Sequence, residues 1–169
     1  MANLSTLESA LGRAGGTVTA FLEHLVGEPI DARQRSQRPA RAGASNSLGV
    51  AEGHPLIIRT AALRGRTSGR AYVYAETVLV PSRVPANVRE RLESSADPIG
   101  RILEEEEIAV TRISLPGPEP RVTPVTPEMD ADIADHLLAR TYRVDADGTP
   151  LMVITEWFLG SLRAFLPSA

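Results

Sequence analysis

Four charged residues interrupt segments that otherwise have the composition of buried β-strands: Arg59, Glu76, Arg143 and Glu156. A charge on a core-facing surface costs several kcal/mol to desolvate unless something compensates it. A planar guanidinium can hold a carboxylate through two parallel hydrogen bonds. A carboxyl group in apolar surroundings is protonated more easily, so it can act as an acid or hydrogen-bond donor near neutral pH. One arginine and one carboxyl group in a dry pocket would therefore suit a small aromatic acid that carries a hydroxyl group. Structural ion pairs are the alternative.

Two of these charges lie in residues 55–81. Two segments rich in β-branched and aromatic residues flank the polar turn G-R-T-S-G, and this pattern predicts a β-hairpin. If the turn is centred on Thr67 and Ser68, Arg59 falls opposite Glu76. The pair is then either a structural ion pair or an arginine that awaits an anionic ligand. The predicted shared face carries Ile57, Arg59, Ala61, Leu63, Tyr72, Tyr74, Glu76, Val78 and Val80.

A second hairpin is predicted near the C-terminus, where Asp147-Gly148 is the strongest two-residue turn pattern of the chain. The returning strand alternates, so Glu156 shares a face with apolar side chains and is a second inward-facing acid. The cross-strand pairs predicted from this turn are Met152 with Arg143 and Ile154 with Thr141.

The remaining segments predict short helices, one more strand and two loops. Residues 17–26 have helical spacing of apolar side chains and are followed by Gly27. Asp97 is predicted to cap a helix that begins at Pro98. Further helices are predicted at 85–94 and 127–138, a strand at 108–115, and loops at 31–53 and, Pro-rich, at 115–127. The pattern indicates one α+β domain over residues 1–169, with an antiparallel sheet and helices packed on one face.

Composition excludes several function classes. The net charge of −3 and pI near 5.7 argue against nucleic acid as the main partner. The chain has no cysteine, so thiolate catalysis and thiolate metal sites are excluded. The acidic run at residues 104–107 has no histidine at ligand spacing, which makes a metal site a poor interpretation. No apolar run is long enough to span a membrane, and the N-terminal residues lack the features of a signal peptide, so the cytoplasm is the expected location.

Several short motifs occur in an informative order: L-I-I-R-T-A-A-L, Y-A-E-T-V-L-V-P, D-P-I-G-R-I-L, R-T-Y-R-V near D-G-T-P, and T-E-W-F-L. Their order resembles the chorismate pyruvate-lyases, which make 4-hydroxybenzoate and pyruvate from chorismate. The segment T-V-T-A-F-L-E-H-L-V-G-E-P is similar to the divergent actinobacterial branch of that family. The resemblance covers roughly residues 17–159 and leaves the Arg-rich and Pro-rich segments unmatched.

The resemblance implies a six-stranded antiparallel sheet with helical flaps over a buried ligand pocket. It implies that Arg59 holds the ring carboxylate and that Glu156 lies beside the 4-hydroxyl end. The backbone around Ile99 and Gly100 corresponds to the family's main-chain amide contact with the ligand. Two departures stand out. Glu76 occupies a position where the enterobacterial enzymes carry a basic residue, and the D-G-T-P to T-E spacing is one residue longer, so a bulge could precede Glu156.

The function that the resemblance implies is that of a lyase with chorismate as substrate and no cofactor or metal, and it leaves open whether the pathway belongs to quinone, glycolipid or secondary metabolism. Arg143 is the candidate for the enolpyruvyl carboxylate, and Glu76 is expected to orient Arg59 in the empty site. The protein is expected to be a monomer or a homodimer. The alternative is a non-catalytic domain that binds small aromatic acids, related to the effector-binding domains of bacterial transcription regulators.

Overall fold

The computed structural model describes residues 4–13, 16–116 and 126–167. Its strands are β1 (Ile30–Arg41), β2 (Pro55–Gly65), β3 (Ala71–Leu79), β4 (Thr111–Leu115), β5 (Leu138–Ala146) and β6 (Thr149–Phe158). Its helices are α1 (Leu4–Arg13), α2 (Val18–Val26), α3 (Ala86–Ser94), α4 (Ile99–Glu105), α5 (Pro127–Ala134) and a final 3-10 helix (Gly160–Phe165).

The strands of the described residues form one six-stranded sheet in the order β1-β2-β3-β6-β5-β4, and every neighbouring pair is antiparallel. The two predicted hairpins, β2-β3 and β5-β6, are present and lie side by side, because β3 pairs with β6. This confirms the predicted α+β class with an antiparallel sheet. The sheet has one face covered by α1 to α4, which we call the cavity face, and an opposite face on which α5 packs.

The prediction of a loop at residues 31–53 was wrong for its first part, because residues 30–41 form strand β1. This strand lies at the edge of the sheet and pairs with β2 alone among the described strands. Polar side chains and proline are typical of edge strands, where part of the strand faces solvent. Its arginines and Pro39 therefore give β1 the composition of a loop, although its backbone is paired with that of β2.

The register predicted for the first hairpin was wrong by one residue. Arg59 lies opposite Thr77, and Glu76 lies opposite Thr60. The register shifts by one residue between Leu63 and Arg64, where the hairpin contains a bulge. Cross-strand pairs counted from the turn are therefore wrong by one residue beyond this bulge. Because a slip of one residue moves a side chain to the other face, Arg59 and Glu76 lie on different faces of the sheet. The cross-strand partners that share the cavity face are Ile57 with Leu79, Arg59 with Thr77, Ala61 with Ala75 and Leu63 with Val73.

The second hairpin shows the same kind of shift. Asp147 and Gly148 both have positive φ angles of 49° and 73°, which confirms the predicted turn. A register shift between Val144 and Asp145 then changes the predicted pairs, which were wrong. Met152 pairs with Val144 rather than with Arg143, and Ile154 pairs with Tyr142 rather than with Thr141.

The four predicted helices are present with differences at some ends, whereas helix α1 and the final 3-10 helix were not predicted. Helix α2 begins after Thr17, whose side chain accepts a hydrogen bond from the Ala20 amide, and it ends at Gly27 with φ 76°. Helix α4 lacks the predicted side-chain cap, because Asp97 pairs with Arg91 and Pro98 occupies the cap position. Strand β4 begins at residue 111 rather than 108, and α5 ends at residue 134 rather than 138. Most of the predicted Pro-rich loop lies outside the described residues.

Apolar side chains fill both faces of the sheet. On the cavity face, Leu22 of α2 packs with Leu63, Val73 and Phe158 of the sheet. Farther along the strands, α3 and α4 pack on β3, β5 and β6. On the opposite face, Met129 and Ile133 of α5 pack on Tyr74 and Trp157. A cavity is left between the sheet and α1, α2 and α4.

Candidate active site

The cavity has a volume of about 250 Å³ and lies on the cavity face of the sheet. Its floor includes Ala61 and Ala75, which are direct partners on β2 and β3. Two alanines side by side leave a hollow in a surface where larger side chains would otherwise fill the space between sheet and helices. The room for a ligand therefore arises from small side chains in the centre of the sheet.

Arg59 lines the cavity. It is carried by β2, which is an inner strand of the sheet, and only 4% of its surface is exposed. A guanidinium in such a place presents planar donors to a region with little water, where its interaction with an anion is strong. Its cross-strand neighbour on the floor is Thr77.

Glu156 forms another part of the cavity wall, on β6. It is 2% exposed, and both of its carboxylate oxygens accept hydrogen bonds. Arg140 donates through Nε to Oε2 at 2.7 Å, and the hydroxyl of Tyr142 donates to Oε1 at 2.8 Å. The carboxylate is thus fixed by two donors and acts as an acceptor toward the protein.

The two donors hold one another in place as well. The guanidinium carbon of Arg140 lies 5.1 Å from the ring centroid of Tyr142 and 5.4 Å from that of Phe158. Burial works against the charge of Arg140, but the negative charge of Glu156 and its hydrogen bond outweigh that effect and raise the arginine's pKa. Burial, together with the nearby charge of Glu156, raises the pKa of Tyr142 well above its ordinary value. Tyr142 therefore keeps its proton across the physiological pH range.

The roof of the cavity is the seam between α2 and α4. Thr17 and Phe21 contribute from the side of α2, and Ile99 and Gly100 contribute from α4. A Cβ atom at Gly100 would lie 3.1 Å from the methyl group of Thr17, so the two segments are in close contact there.

Ion pairs join the roof helices. Arg101 of α4 pairs with Glu23 of α2. Arg91 of α3 contacts carboxylates on both sides of α4, at 2.9 Å from Asp97, 2.6 Å from Glu105 and 3.1 Å from Glu106. These ion pairs connect α3 to both ends of α4. Among the ion pairs of the described residues, only the one between Arg101 and Glu23 joins α2 to α4 above the cavity.

Four of the residues that the sequence indicated line this one cavity: Arg59, Glu156, Ile99 and Gly100. The other two lie elsewhere. Glu76 is on the opposite face, beside Thr60 and Thr155, so the expectation that it orients Arg59 was wrong.

Arg143 also lies outside the cavity lining. Its guanidinium makes a two-point ion pair with Asp145 at 2.7 and 2.9 Å and donates to the carbonyl of Ser47 at 3.3 Å. Successive side chains of β5 alternate between the two faces of the sheet. Because Tyr142 lines the cavity, the next residue, Arg143, points to the opposite face. The candidate for a second anion contact is therefore a different arginine.

Sequence reasoning missed the three cavity residues Arg112, Arg140 and Tyr142, which carry guanidinium or phenol groups. The motif R-T-Y-R-V contained two of them, but the bulge before Asp145 reversed the assignment of faces on β5. Arg112, on edge strand β4, is exposed and lies at the rim. Arg140 and Tyr142 are two residues apart, a spacing that places both side chains on one face of a strand. With the correct register, this spacing would have placed both on the same face as Glu156.

The described residues contain no group of three His, Asp or Glu side chains placed to hold a metal ion. The same part of the chain has no helix long and apolar enough to cross a membrane.

An antiparallel sheet with a buried arginine and a buried glutamate in one helix-covered cavity defines a small-molecule site. In agreement with this class, residues 13–166 match the Rv2949c-like chorismate pyruvate-lyase family, and the chain belongs to that family. Chorismate pyruvate-lyases of Mycobacterium tuberculosis and Mycobacterium bovis are each 28% identical to it over 161 aligned residues. Each alignment covers 88% of this chain and 77% of the relative.

Solved structures with the same fold include ligand-binding domains of transcription regulators. The ligand-binding domain of a GntR-family regulator from Bordetella bronchiseptica has a TM-score of 0.51 and 17% identity, covering 78% of this chain and 83% of that one. The effector domain of PhnF from Mycobacterium smegmatis has a TM-score of 0.51 and 17% identity, covering 86% of this chain and 90% of that one. At this identity the similarity concerns the fold alone.

Proposed function

We propose that this protein is a lyase that converts chorismate into 4-hydroxybenzoate and pyruvate. The observation that carries the proposal is that Arg59 and the acceptor Glu156 line one cavity on strands separated only by β3. Two strand spacings of about 4.8 Å place their backbones roughly 10 Å apart across the sheet. A ring with a carboxylate at one end and a hydroxyl at the other can lie between them, over the two floor alanines.

Arg59 is the proposed anchor for the ring carboxylate. Its burial means that a bound carboxylate loses water but gains a charge-assisted, two-point contact in return. The main-chain amides at the start of α4, around Ile99 and Gly100, lie in the roof and supply further donors. Arg112 at the rim is the proposed contact for the second carboxylate, on the enolpyruvyl group, in place of Arg143.

The reaction is an elimination that the site assists by orientation. The proton on ring C4 is removed, its C–H electrons form the new ring double bond, and the ether bond between C3 and the enolpyruvyl oxygen breaks. The enolpyruvyl methylene takes up a proton and becomes the methyl group of pyruvate. Aromatisation of the ring favours this direction, so the protein needs mainly to bind, align and exclude water. Glu156 is proposed to hold the 4-hydroxyl and to assist the movement of the proton.

Replacing Arg59 with methionine tests the proposal, with Arg143→Met as the matched control. Both residues are arginines on inner strands, but only Arg59 lines the cavity. Leaving a bound carboxylate buried without its partner costs about 3–5 kcal/mol. That cost corresponds to a loss of roughly two to four orders of magnitude in kcat/KM. Arg143→Met is expected to keep kcat/KM within about threefold of wild type.

Turnover is measured as pyruvate and 4-hydroxybenzoate released from chorismate, with thermal melts to confirm that each variant is folded. An Arg59→Met variant as active as Arg143→Met would contradict the assignment of Arg59. A second outcome would favour the non-catalytic alternative. In that case 4-hydroxybenzoate raises the Tm of the wild-type protein, as a tight ligand should, while chorismate stays intact. The monomeric or homodimeric state and the cytoplasmic location remain predictions.

A further inference from the structure

Tyr142 lies at the end of a straight row of residues that begins at Arg59. The row runs across the cavity face through successive cross-strand partners: Arg59 with Thr77, Thr77 with Ile154, and Ile154 with Tyr142. All four line the cavity. Three strand spacings of about 4.8 Å separate the two ends by roughly 14 Å between backbones, and both side chains are long. A para-substituted ring held by Arg59 along this row therefore directs its far substituent toward Tyr142.

We infer that Tyr142 is a specificity-determining residue of this site, whose phenolic oxygen accepts a hydrogen bond from the 4-hydroxyl group of the bound ring. The inference rests on the proposed function and deepens it. It adds to Glu156 a second contact for the same hydroxyl and predicts which aromatic acids the site prefers.

The hydrogen bonds around Tyr142 set the direction of this contact. Its hydroxyl proton is committed to Oε1 of Glu156 at 2.8 Å, which leaves the phenolic oxygen able to accept. Because burial and the charge of Glu156 keep the pKa of Tyr142 high, the oxygen remains a neutral acceptor. A hydroxyl group on the ligand matches this acceptor, whereas a plain ring leaves the guanidinium of Arg140 as the donor group that remains near the phenolic oxygen.

The position of the acceptor is fixed by its surroundings. The guanidinium of Arg140 stacks over the ring of Tyr142 at 5.1 Å and is itself bound to Glu156 at 2.7 Å. Sites built to bond a ligand hydroxyl discriminate strongly against analogues that lack it, because their buried polar groups are then left unpaired. A rigid pair of Tyr142 and Glu156 should therefore discriminate more strongly than Glu156 alone between ligands with and without a 4-hydroxyl group.

The experiment measures dissociation constants of 4-hydroxybenzoate and benzoate by calorimetry for the wild type and for Tyr142→Phe. Tyr74→Phe is the matched control. Tyr74 is also a buried tyrosine bonded to a carboxylate, Asp132 at 3.0 Å, but it lies on the opposite face. The Tyr142→Phe substitution is expected to reduce the preference for 4-hydroxybenzoate over benzoate by about tenfold, the size typical of one lost buried hydrogen bond. The benzoate constant should stay within about twofold, which also shows that the variant is folded, and Tyr74→Phe should keep the wild-type preference.

An unchanged preference in Tyr142→Phe would overturn this inference and leave the proposed function standing. Equal weakening of both ligands would also overturn it, since that result means a structural role only. If the wild-type protein binds neither acid, the inference fails, and turnover of chorismate decides separately whether the proposed function stands.

Discussion

The ion pair between Arg140 and Glu156 allows an asymmetric prediction about stability. Glu156 is 2% exposed, whereas the side chain of Arg140 is 34% exposed. If Arg140 is replaced by methionine, the carboxylate stays buried with only Tyr142 as donor. If Glu156 is replaced by glutamine, the guanidinium can turn toward water and keeps its contacts with two aromatic rings. Arg140→Met should therefore lower the free energy of unfolding more than Glu156→Gln does.

The magnitudes follow from the burial of each partner. Leaving one member of a buried pair uncompensated costs about 3–5 kcal/mol, which applies to Arg140→Met. Glu156→Gln should cost about 1–2 kcal/mol, because it weakens hydrogen bonds and leaves no trapped charge. In the double variant, glutamine removes the orphaned charge that Arg140→Met creates. The double variant should therefore be more stable than Arg140→Met alone, by at least about 1.5 kcal/mol.

Urea unfolding at pH 7, monitored by two spectroscopic probes, measures the four free energies of unfolding. Arg140→Met is expected to lower the Tm by roughly 10 °C, since 1 kcal/mol corresponds to about 2–4 °C in a chain of this length. Two results would refute the reasoning. One is a cost of less than about 1 kcal/mol for Arg140→Met. The other is a double variant that is less stable than Arg140→Met, which would mean that no charge is trapped.

Two further predictions concern the cavity floor and a turn clamp. Ala75→Leu places a larger side chain in the floor, so 4-hydroxybenzoate affinity should fall more than a hundredfold while stability changes by less than about 1.5 kcal/mol; unchanged affinity by calorimetry would place the ligand elsewhere. Glu28 accepts hydrogen bonds from Thr67, Ser68 and Tyr72, and the side-chain and backbone bonds from Ser68 are the main cause that lowers its pKa from 4.5 to about 2. A lowered pKa stabilises the fold above pH 4.5, and this contribution is lost as the pH falls toward 2. Because these hydrogen bonds are exposed and water screens them, Glu28→Gln should cost only about 1 kcal/mol at pH 7, and the cost should disappear as the pH falls through 2; parallel stability curves for the two proteins between pH 4.5 and 2 would contradict this.

The strands of both hairpins were predictable, but their registers were not. Alternating apolar residues and the Asp147-Gly148 turn identify the hairpins directly. A bulge adds one residue to one strand without disturbing the alternation on either side, so it cannot be recognised from the pattern. The shift near Leu63 reversed the predicted face of Glu76. Strand β1 was missed because an edge strand with many polar side chains has the composition of a loop.

The candidate site was predictable to the extent that single residues reveal it. Arg59 and Glu156 stand out because a charge in an apolar strand demands an explanation, and both line the cavity. Arg140 and Tyr142 do not stand out, because polar residues in a strand of mixed composition usually face solvent. Their role depends on the partner strand, and only the observed register brings them to Glu156.

The most direct test of the account is the incubation of the purified wild-type protein with chorismate. We predict that 4-hydroxybenzoate and pyruvate appear in equal amounts, at a rate that is proportional to protein concentration and far above that of a protein-free control. Chorismate that remains intact at the control rate, in the presence of folded protein, would contradict the central claim.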